Sequence, residues 1–434
     1  MMKTPIADFV RAYAAREGTR LHMPGHKGKP FLGCETWDIT EVRGADALYE
    51  AEGIIAESEK NAAALFGAAA TVFGAEGSSQ CIKAMVLLVA QGREKPWILA
   101  GRNAHKAFLH ALALCDVQVK WLWPQEQDSI CACNITPQQV EKSLKKAAVP
   151  PAAVYVTSPD YLGNLLPIEE IAEVCHRYGT KLLVDNAHGA YLKFLPQSLH
   201  PISQGADICC DSAHKTLPVL TGGAYLHFRE GALAENAKAA MAMFGSTSPS
   251  YLILASLDLC NRYLAENIRE KLEKVIPTVE NTKKTLKNNG WTVVTTEPMK
   301  ITLRCDGHAV ARRLREKNIE CEFADRDYLV LMPSAETGAG ELEALVESLG
   351  RNGGAFAPGA GVKITPPQQA MTPRQAMFAP QQTVPVAEAL GRVAAAPTVG
   401  CPPAVPIVVS GERIDETVQK AFAYYGMDTV CVVK

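Results

Sequence analysis

Short apolar segments alternate with amphipathic ones through the middle of the chain. Strands are predicted where four to seven mostly apolar residues follow one another, at 97–101, 117–123, 153–158, 181–186 and 207–212. Helices are predicted where apolar residues recur at helical spacing, at 57–67, 78–92, 103–114, 136–147 and 168–179. Because buried strands separated by helices are typical of parallel sheets, the pattern predicts a doubly wound α/β domain.

The two ends of the chain have a different pattern of apolar and polar residues from the middle. Residues 1–60 are predicted to form an N-terminal arm with one short helix, residues 61–275 a large α/β domain, and residues 276–434 one or more small α+β domains. After Ser248 the pattern predicts a long helix that bends at Pro277, because proline removes a helical hydrogen bond. A second α/β segment follows, which begins with a strand predicted at 291–296. Residues 354–387 are rich in Pro, Gln and Ala, and on composition alone they suggest a linker.

Charge and composition exclude several classes of protein. The 434 residues contain 44 Lys and Arg against 46 Asp and Glu, so neither nucleic-acid binding nor a polybasic membrane surface is expected. Apolar runs such as Met85–Ala90 are far too short to cross a bilayer, and the first residues lack the apolar region of a signal peptide. The 13 cysteines contain no C-x-x-C pair. We therefore expect a cytoplasmic protein with reduced thiols.

Reactive groups follow three predicted strands or turns, where open α/β sheets bind ligands. The Gly-Ser-Ser turn at 77–79 opens a helix and suits an anion, although taken alone it fits a simple N-cap serine better. Asp185 ends an apolar strand, where a carboxylate is either a site residue or a cap for the next segment. Lys215 follows the strand 207–212, where burial lowers the pKa of an amine; taken alone it also fits a solvated loop lysine.

Taken together, the three features are more specific than any one of them. An anion holder, a carboxylate and an amine are what pyridoxal 5′-phosphate requires for its phosphate, its pyridine nitrogen and its aldehyde. The chain has no P-loop, no dinucleotide-binding glycine motif and no nucleophile elbow. The pairs His22/His26 and His105/His110 have spacings that two metal ligands could share, but neither has a suggestive third ligand nearby, so no metal site is predicted.

Over nearly its whole length the sequence resembles the Orn/Lys/Arg decarboxylases, which are fold-type-I, pyridoxal-phosphate-dependent enzymes, in their short form without an N-terminal wing domain. The resemblance rests on LHMPGHKG, RNAHKA, VDNAHGAY, DSAHKTLPVLTGGAYLH and STSPSYLILASLD, and on two C-terminal blocks within 372–414. It implies a large domain with a mainly parallel sheet and a smaller C-terminal domain. It also overturns the linker interpretation of 370–387.

The resemblance implies a role for each matching residue. Lys215 would form the Schiff base with the cofactor, and Asp185 would keep the pyridine nitrogen protonated. The remaining implied cofactor contacts are His105 and Ala187 on the two ring faces, His214 beside the Schiff base, and Ser78, Ser79 and Ser212 at the phosphate. Glu412 is the candidate acid for the basic end of the substrate, and a solvated loop acid is the alternative at this position. Residues 247–251 would approach the phosphate of a partner subunit, so a homodimer with shared sites is expected.

These roles imply decarboxylation of lysine, arginine or ornithine to its amine in polyamine metabolism. Other reactions on the same cofactor, such as transamination or lyase chemistry, and a non-catalytic pathway regulator are the alternatives. The chain departs from the family in two places. Asn186 replaces an acid, and Ala404 and Ser410 replace a glycine and a proline near the C-terminal glutamate. Both departures lie close to predicted site residues, so they bear on the choice of substrate.

Overall fold

The computed structural model describes residues 1–125, 129–294, 297–397 and 403–434. The α-helices are α1 Pro5–Ala14, α2 Ile54–Phe66, α3 Ser78–Ala90, α4 Lys106–Leu114, α5 Pro137–Lys145, α6 Ile168–Arg177, α7 Ala213–Thr216, α8 Ala237–Ala242, α9 Tyr251–Glu266, α10 Ile268–Asn288, α11 Gly307–Arg315, α12 Ala339–Leu349, α13 Pro373–Phe378 and α14 Glu416–Tyr424. The strands are β1 Ala70–Gly74, β2 Trp97–Gly101, β3 Gln118–Leu122, β4 Ala153–Thr157, β5 Lys181–Asp185, β6 Ile208–Asp211, β7 Ala224–Phe228, β8 Thr292–Val294, β9 Ile301–Arg304, β10 Phe323–Ala324, β11 Tyr328–Leu331, β12 Gln381–Pro385 and β13 Thr429–Val433.

The chain divides into two compact units. The first contains residues 1–91 and 181–272, and the second contains residues 92–180 and 273–434. The N-terminal arm therefore belongs to the first unit, where Ala7 donates its backbone N–H to the Asp258 carboxylate of α9. In the part of the chain that the structure describes, no helix combines the length and the apolar character needed to cross a bilayer.

In the first unit, three parallel strands share one direction. Strand β5 pairs parallel with β6, whereas β7 pairs antiparallel with both β6 and β1. Strands β1, β5 and β6 consequently run the same way, and their carboxyl ends lie at the same edge. The strands are almost completely buried, as expected for a sheet covered on both faces. This edge, which we call the carboxyl edge, carries most of the predicted site residues.

The second unit holds three smaller arrangements of strands. Strands β3 and β4 each pair parallel with β2, which continues the α/β pattern. An antiparallel sheet has the order β10-β11-β9-β8, and β12 pairs antiparallel with β13. The last pair packs with α14 around a core that includes Val408, Ile414 and Phe422. The fold class is thus the predicted one, with a mainly parallel α/β arrangement and a smaller α+β C-terminal part.

Several local predictions are confirmed and others are wrong. Thr136 caps α5 in a capping box with Gln139, as its position predicts. The long helix is interrupted at Asn267, whose backbone leaves the helical region, and α10 continues through Pro277. The bend at Pro277 stays a prediction. The linker interpretation is wrong for residues 373–385, which form α13 and β12. Of the strand predicted at 291–296, the last two residues lie outside the described ranges.

Candidate active site

The carboxyl edge of the first unit gathers residues from three separate parts of the sequence. Ser78 begins α3 shortly after β1, Asp185 is the last residue of β5, and Ser212 and Lys215 follow β6. Because the three strands are parallel, the residues that follow them meet at one edge although more than 100 positions separate the first from the last. The topology therefore brings the three motifs of the sequence to one edge of the sheet.

The serines form an anion cradle at the start of α3. Ser212 Oγ donates a hydrogen bond to Ser78 Oγ over 2.7 Å, and both side chains are buried. Gly77 precedes them with a φ of +69°, a conformation that favours glycine, and its N–H donates to the Gly222 carbonyl over 2.7 Å. Ser79 lies half-buried in the first turn of the helix. Two hydroxyls and the amino end of a 13-residue helix suit a phosphate.

Lys215 lies in the short helix α7 and is half-buried. Its Nζ is 2.9 Å from Nε2 of His188, a residue with no role predicted from the sequence. His188 follows Asp185 by three positions in the same loop, and this proximity is the signal that could have identified it. His214, predicted to lie beside the Schiff base, has its Nδ1 3.0 Å from the Gly223 carbonyl oxygen.

Asp185 is almost completely buried at the end of β5, with 2% of its surface exposed. Its Oδ1 accepts a hydrogen bond from the backbone N–H of Ala187 over 3.1 Å and from the Cys210 thiol over 3.7 Å. Burial raises the pKa of Cys210 well above its ordinary value, and the Asp185 charge adds to the effect, so this thiol stays protonated as a donor. Ala187, the residue implied for one ring face, is itself buried.

The two remaining predicted residues belong to the second unit. His105 caps α4, where its Nδ1 accepts from the Ala107 N–H over 3.1 Å. Glu412 is 1% exposed, and its Oε2 accepts from Arg102 Nη2 over 3.0 Å and from the Val409 N–H over 2.7 Å. Burial raises the pKa of Glu412, which the Arg102 charge partly offsets. Glu412 is thus a paired, buried carboxylate and not a solvated loop acid.

A buried network lies behind the carboxyl edge and was not predicted. Asp211, at the end of β6, is fully buried, and its Oδ2 accepts from Nε2 of His200 over 3.0 Å and of His227 over 3.3 Å. Its Oδ1 accepts from the Asn186 amide over 2.7 Å and from the Cys209 thiol over 3.6 Å. Burial raises the pKa of Asp211, but the two histidines outweigh it and hold the pKa below its ordinary value. Asp211 is therefore an ionised carboxylate with four donors.

His200, Cys209 and Asp211 are close enough together to hold a metal ion. The hydrogen bonds argue against one. Nδ1 of His200 accepts from the Ile202 N–H over 3.3 Å, so the ring proton is on Nε2, the atom that would have to bind the metal. A metal-bound imidazole instead carries its proton on the other nitrogen and donates it. The arrangement is a hydrogen-bonded network around a buried carboxylate.

Comparison with known proteins places the chain in a family. A family model described as the Orn/Lys/Arg decarboxylase major domain matches residues 4–307, and one described as the Orn/Lys/Arg decarboxylase C-terminal domain matches residues 361–430. The chain belongs to the Orn/Lys/Arg decarboxylase family. It is therefore an enzyme of the amino-acid decarboxylase class, a carboxy-lyase, and the resemblance seen in the sequence is confirmed.

Relatives in this family match along almost the whole chain. An arginine decarboxylase of Halalkalibacterium halodurans is 30% identical over 96% of this chain and 92% of its own length, and one of Bacillus subtilis is 29% identical over 95% and 92%. Among solved structures, a Francisella novicida lysine decarboxylase superimposes with a TM-score of 0.83 at 18% identity, over 99% of this chain and 79% of its own. The Escherichia coli constitutive lysine decarboxylase gives 0.81 at 19%, over 100% and 82%. These two structures confirm the fold.

Proposed function

We propose that the chain decarboxylates a basic L-amino acid with pyridoxal 5′-phosphate bound at the carboxyl edge. The observation that carries the proposal is that one edge holds an amine at Lys215, a buried carboxylate at Asp185 and the paired hydroxyls of Ser78 and Ser212. These groups fit the aldehyde, the pyridine nitrogen and the phosphate of the cofactor. Membership of the decarboxylase family supports the same reaction.

When bound, the cofactor supplies an electron sink for the electron pair that remains when CO₂ leaves. Asp185 makes that sink effective because its carboxylate holds a proton at the pyridine nitrogen. Asp185 is buried away from water, and charge pairs are stronger in such a low-dielectric interior than in water. Hydrogen bonds from the Ala187 N–H and the Cys210 thiol to Oδ1 hold this carboxylate in place.

Lys215 would supply the amine for the aldehyde of the cofactor, a role that requires an uncharged Nζ. His188 Nε2, 2.9 Å away, is placed to accept a proton from Nζ. Ser78, Ser79 and Ser212 orient the phosphate, and His214 stays beside the amine. His105 keeps its predicted role on the ring face, and Glu412 its predicted role toward the basic end of the substrate. Residues 247–251 keep their predicted place at the site of a partner subunit in a homodimer.

The experiment that tests this function is a substrate panel. Purified protein with added cofactor is incubated separately with L-lysine, L-arginine and L-ornithine, and with neutral and acidic amino acids as controls. Mass spectrometry then reads each mixture for the amine. An amine from one or more basic amino acids supports the proposal. A keto acid in place of an amine contradicts it. So does the absence of any product from the basic amino acids when the protein has bound the cofactor.

A further inference from the structure

Behind the proposed site, the Asp211 carboxylate connects several strands of the first unit. It accepts hydrogen bonds from Asn186, which follows β5, from His227 on β7 and from His200, which precedes β6. Nδ1 of His227 in turn lies 2.8 Å from the Thr71 hydroxyl on β1. A single buried charge thus reaches every strand that contributes to the carboxyl edge.

Asp211 is linked to residues of the proposed site in two ways, through Asn186 and through its own backbone. Asn186 lies between Asp185 and Ala187 in sequence, so its side chain anchors the backbone from which both extend. That backbone is also tied to β6, since the Asn186 N–H donates to the Cys210 carbonyl over 3.0 Å. Asp211 itself immediately precedes Ser212 in the anion cradle.

We propose that Asp211 is a positioning residue of this enzyme, which acts through Asn186 to fix Asp185 and through its own backbone to fix Ser212. The inference rests on the proposed function, because it concerns the place of two cofactor-binding residues. It also accounts for the departure from the family at position 186. An acid there would face the Asp211 carboxylate at hydrogen-bond distance, whereas an amide donates to it. Asn186 and Asp211 form a matched pair.

The pair can be tested by exchanging its members. Asp211→Asn and Asn186→Asp each leave two like groups facing one another, and the double variant restores an amide opposite a carboxylate with the order reversed. We expect the cofactor to bind about ten-fold more weakly to each single variant, as for loss of a hydrogen bond to a charged group. The double variant should recover most of that loss. The absorbance spectrum of the bound cofactor reports the same recovery at the Schiff base.

A matched control lies at the opposite end of the same strand. Asp207 is also a buried carboxylate, which accepts from the Leu182 N–H over 2.8 Å and from Arg229 Nη2 over 2.8 Å, at the amino end of β6. Asp207→Asn should cost stability without changing cofactor affinity or spectrum. Asn186→Ala, which removes the donor without adding a charge, provides a milder variant if Asp211→Asn does not fold.

Hydrogen exchange separates this inference from the proposed function because it needs no cofactor. The amides of residues 185–189 should exchange faster in Asp211→Asn and in Asn186→Ala than in Asp207→Asn at equal global stability. Faster exchange confined to these amides supports positioning even if the wild-type protein proves not to decarboxylate. Unchanged exchange there, or equal loss of cofactor affinity in Asp211→Asn and Asp207→Asn, would overturn it. Failure of the double variant to recover would do the same.

Discussion

Lys215 Nζ lies 2.9 Å from His188 Nε2 at the carboxyl edge of the first unit. The contact joins Lys215, which the sequence predicts as the Schiff-base residue, to His188, for which the sequence predicts no role. It gives the amine a proton acceptor, and it links β6 to the loop after β5. Both residues extend from the ends of parallel strands, where the strand direction brings them together.

Replacement of the lysine tests the covalent step. Lys215→Ala should abolish turnover and leave the fold intact, because the side chain is half-buried at the site and is not part of the core. Borohydride reduction followed by peptide mass spectrometry should find the cofactor on Lys215 in the wild-type protein and in Lys60→Ala, an exposed control. Cofactor attached to another lysine, or normal activity in Lys215→Ala, would refute the assignment.

Replacement of the carboxylate at the end of β5 tests the electron sink. Asp185→Asn keeps the size of the side chain and removes its charge, so the cofactor should still bind. Turnover should fall roughly a hundredfold or more, the size of loss seen when one preorganised electrostatic contact is removed from an active site. Steady-state kinetics with cofactor at saturation measure the effect. An unchanged kcat would mean that Asp185 does not control the charge of the ring.

An acid at position 186 should destabilise the fold in a pH-dependent way. Asn186→Asp places a second carboxyl against Asp211, and an unmatched buried charge costs about 3 kcal/mol or more. Repulsion raises the pKa of the new carboxyl in the folded state, so the penalty is full above that pKa and shrinks as pH falls and the group binds a proton. Urea unfolding at neutral and acidic pH measures it. Asn236→Asp, at an exposed helix cap, should cost little; equal losses in both variants would contradict the prediction.

Asp258 should make the protein less stable as pH rises. Burial raises its pKa from 3.8 to about 6, against the opposing hydrogen bonds from Ser58 and from the backbone at Ala7. The folded state therefore binds this proton more tightly, and stability falls between pH 3.8 and about 6 by roughly 3 kcal/mol from this group. Asp258→Asn should flatten that part of the stability curve. The exposed control Asp428→Asn should not, and a curve of unchanged slope in Asp258→Asn would refute the assignment.

The Arg102–Glu412 pair should contribute to stability within the second unit. Glu412→Gln leaves the Arg102 guanidinium buried between Trp121 and Trp123 without its counter-charge, which should cost about 3 kcal/mol. The double variant Arg102→Met/Glu412→Leu should recover most of that loss in a thermodynamic cycle. Unaltered unfolding of Glu412→Gln would contradict the prediction.

The sequence predicted those parts of the candidate site that follow from strand direction. Asp185, Ser212 and Lys215 could be recognised because each follows an apolar run, and parallel strands end at one edge. The strands β1 and β7 were not predicted, because ATVFG and AYLHF are short segments with small or aromatic residues. The antiparallel direction of β7 also cannot be deduced from the spacing of residues in the sequence. The Asp211 network was also missed, because His200 and His227 reach the carboxylate only through tertiary packing.

The most direct test of the central claim is the reaction run in D₂O with wild-type protein, cofactor and each basic amino acid. Decarboxylation replaces the Cα carboxylate with a proton from solvent, so the amine should carry one deuterium on that carbon. Lys215→Ala should produce none. This outcome would support loss of CO₂ at the site built around Lys215 and Asp185. A keto acid or aldehyde in place of the deuterated amine, or equal product from Lys215→Ala, would contradict it.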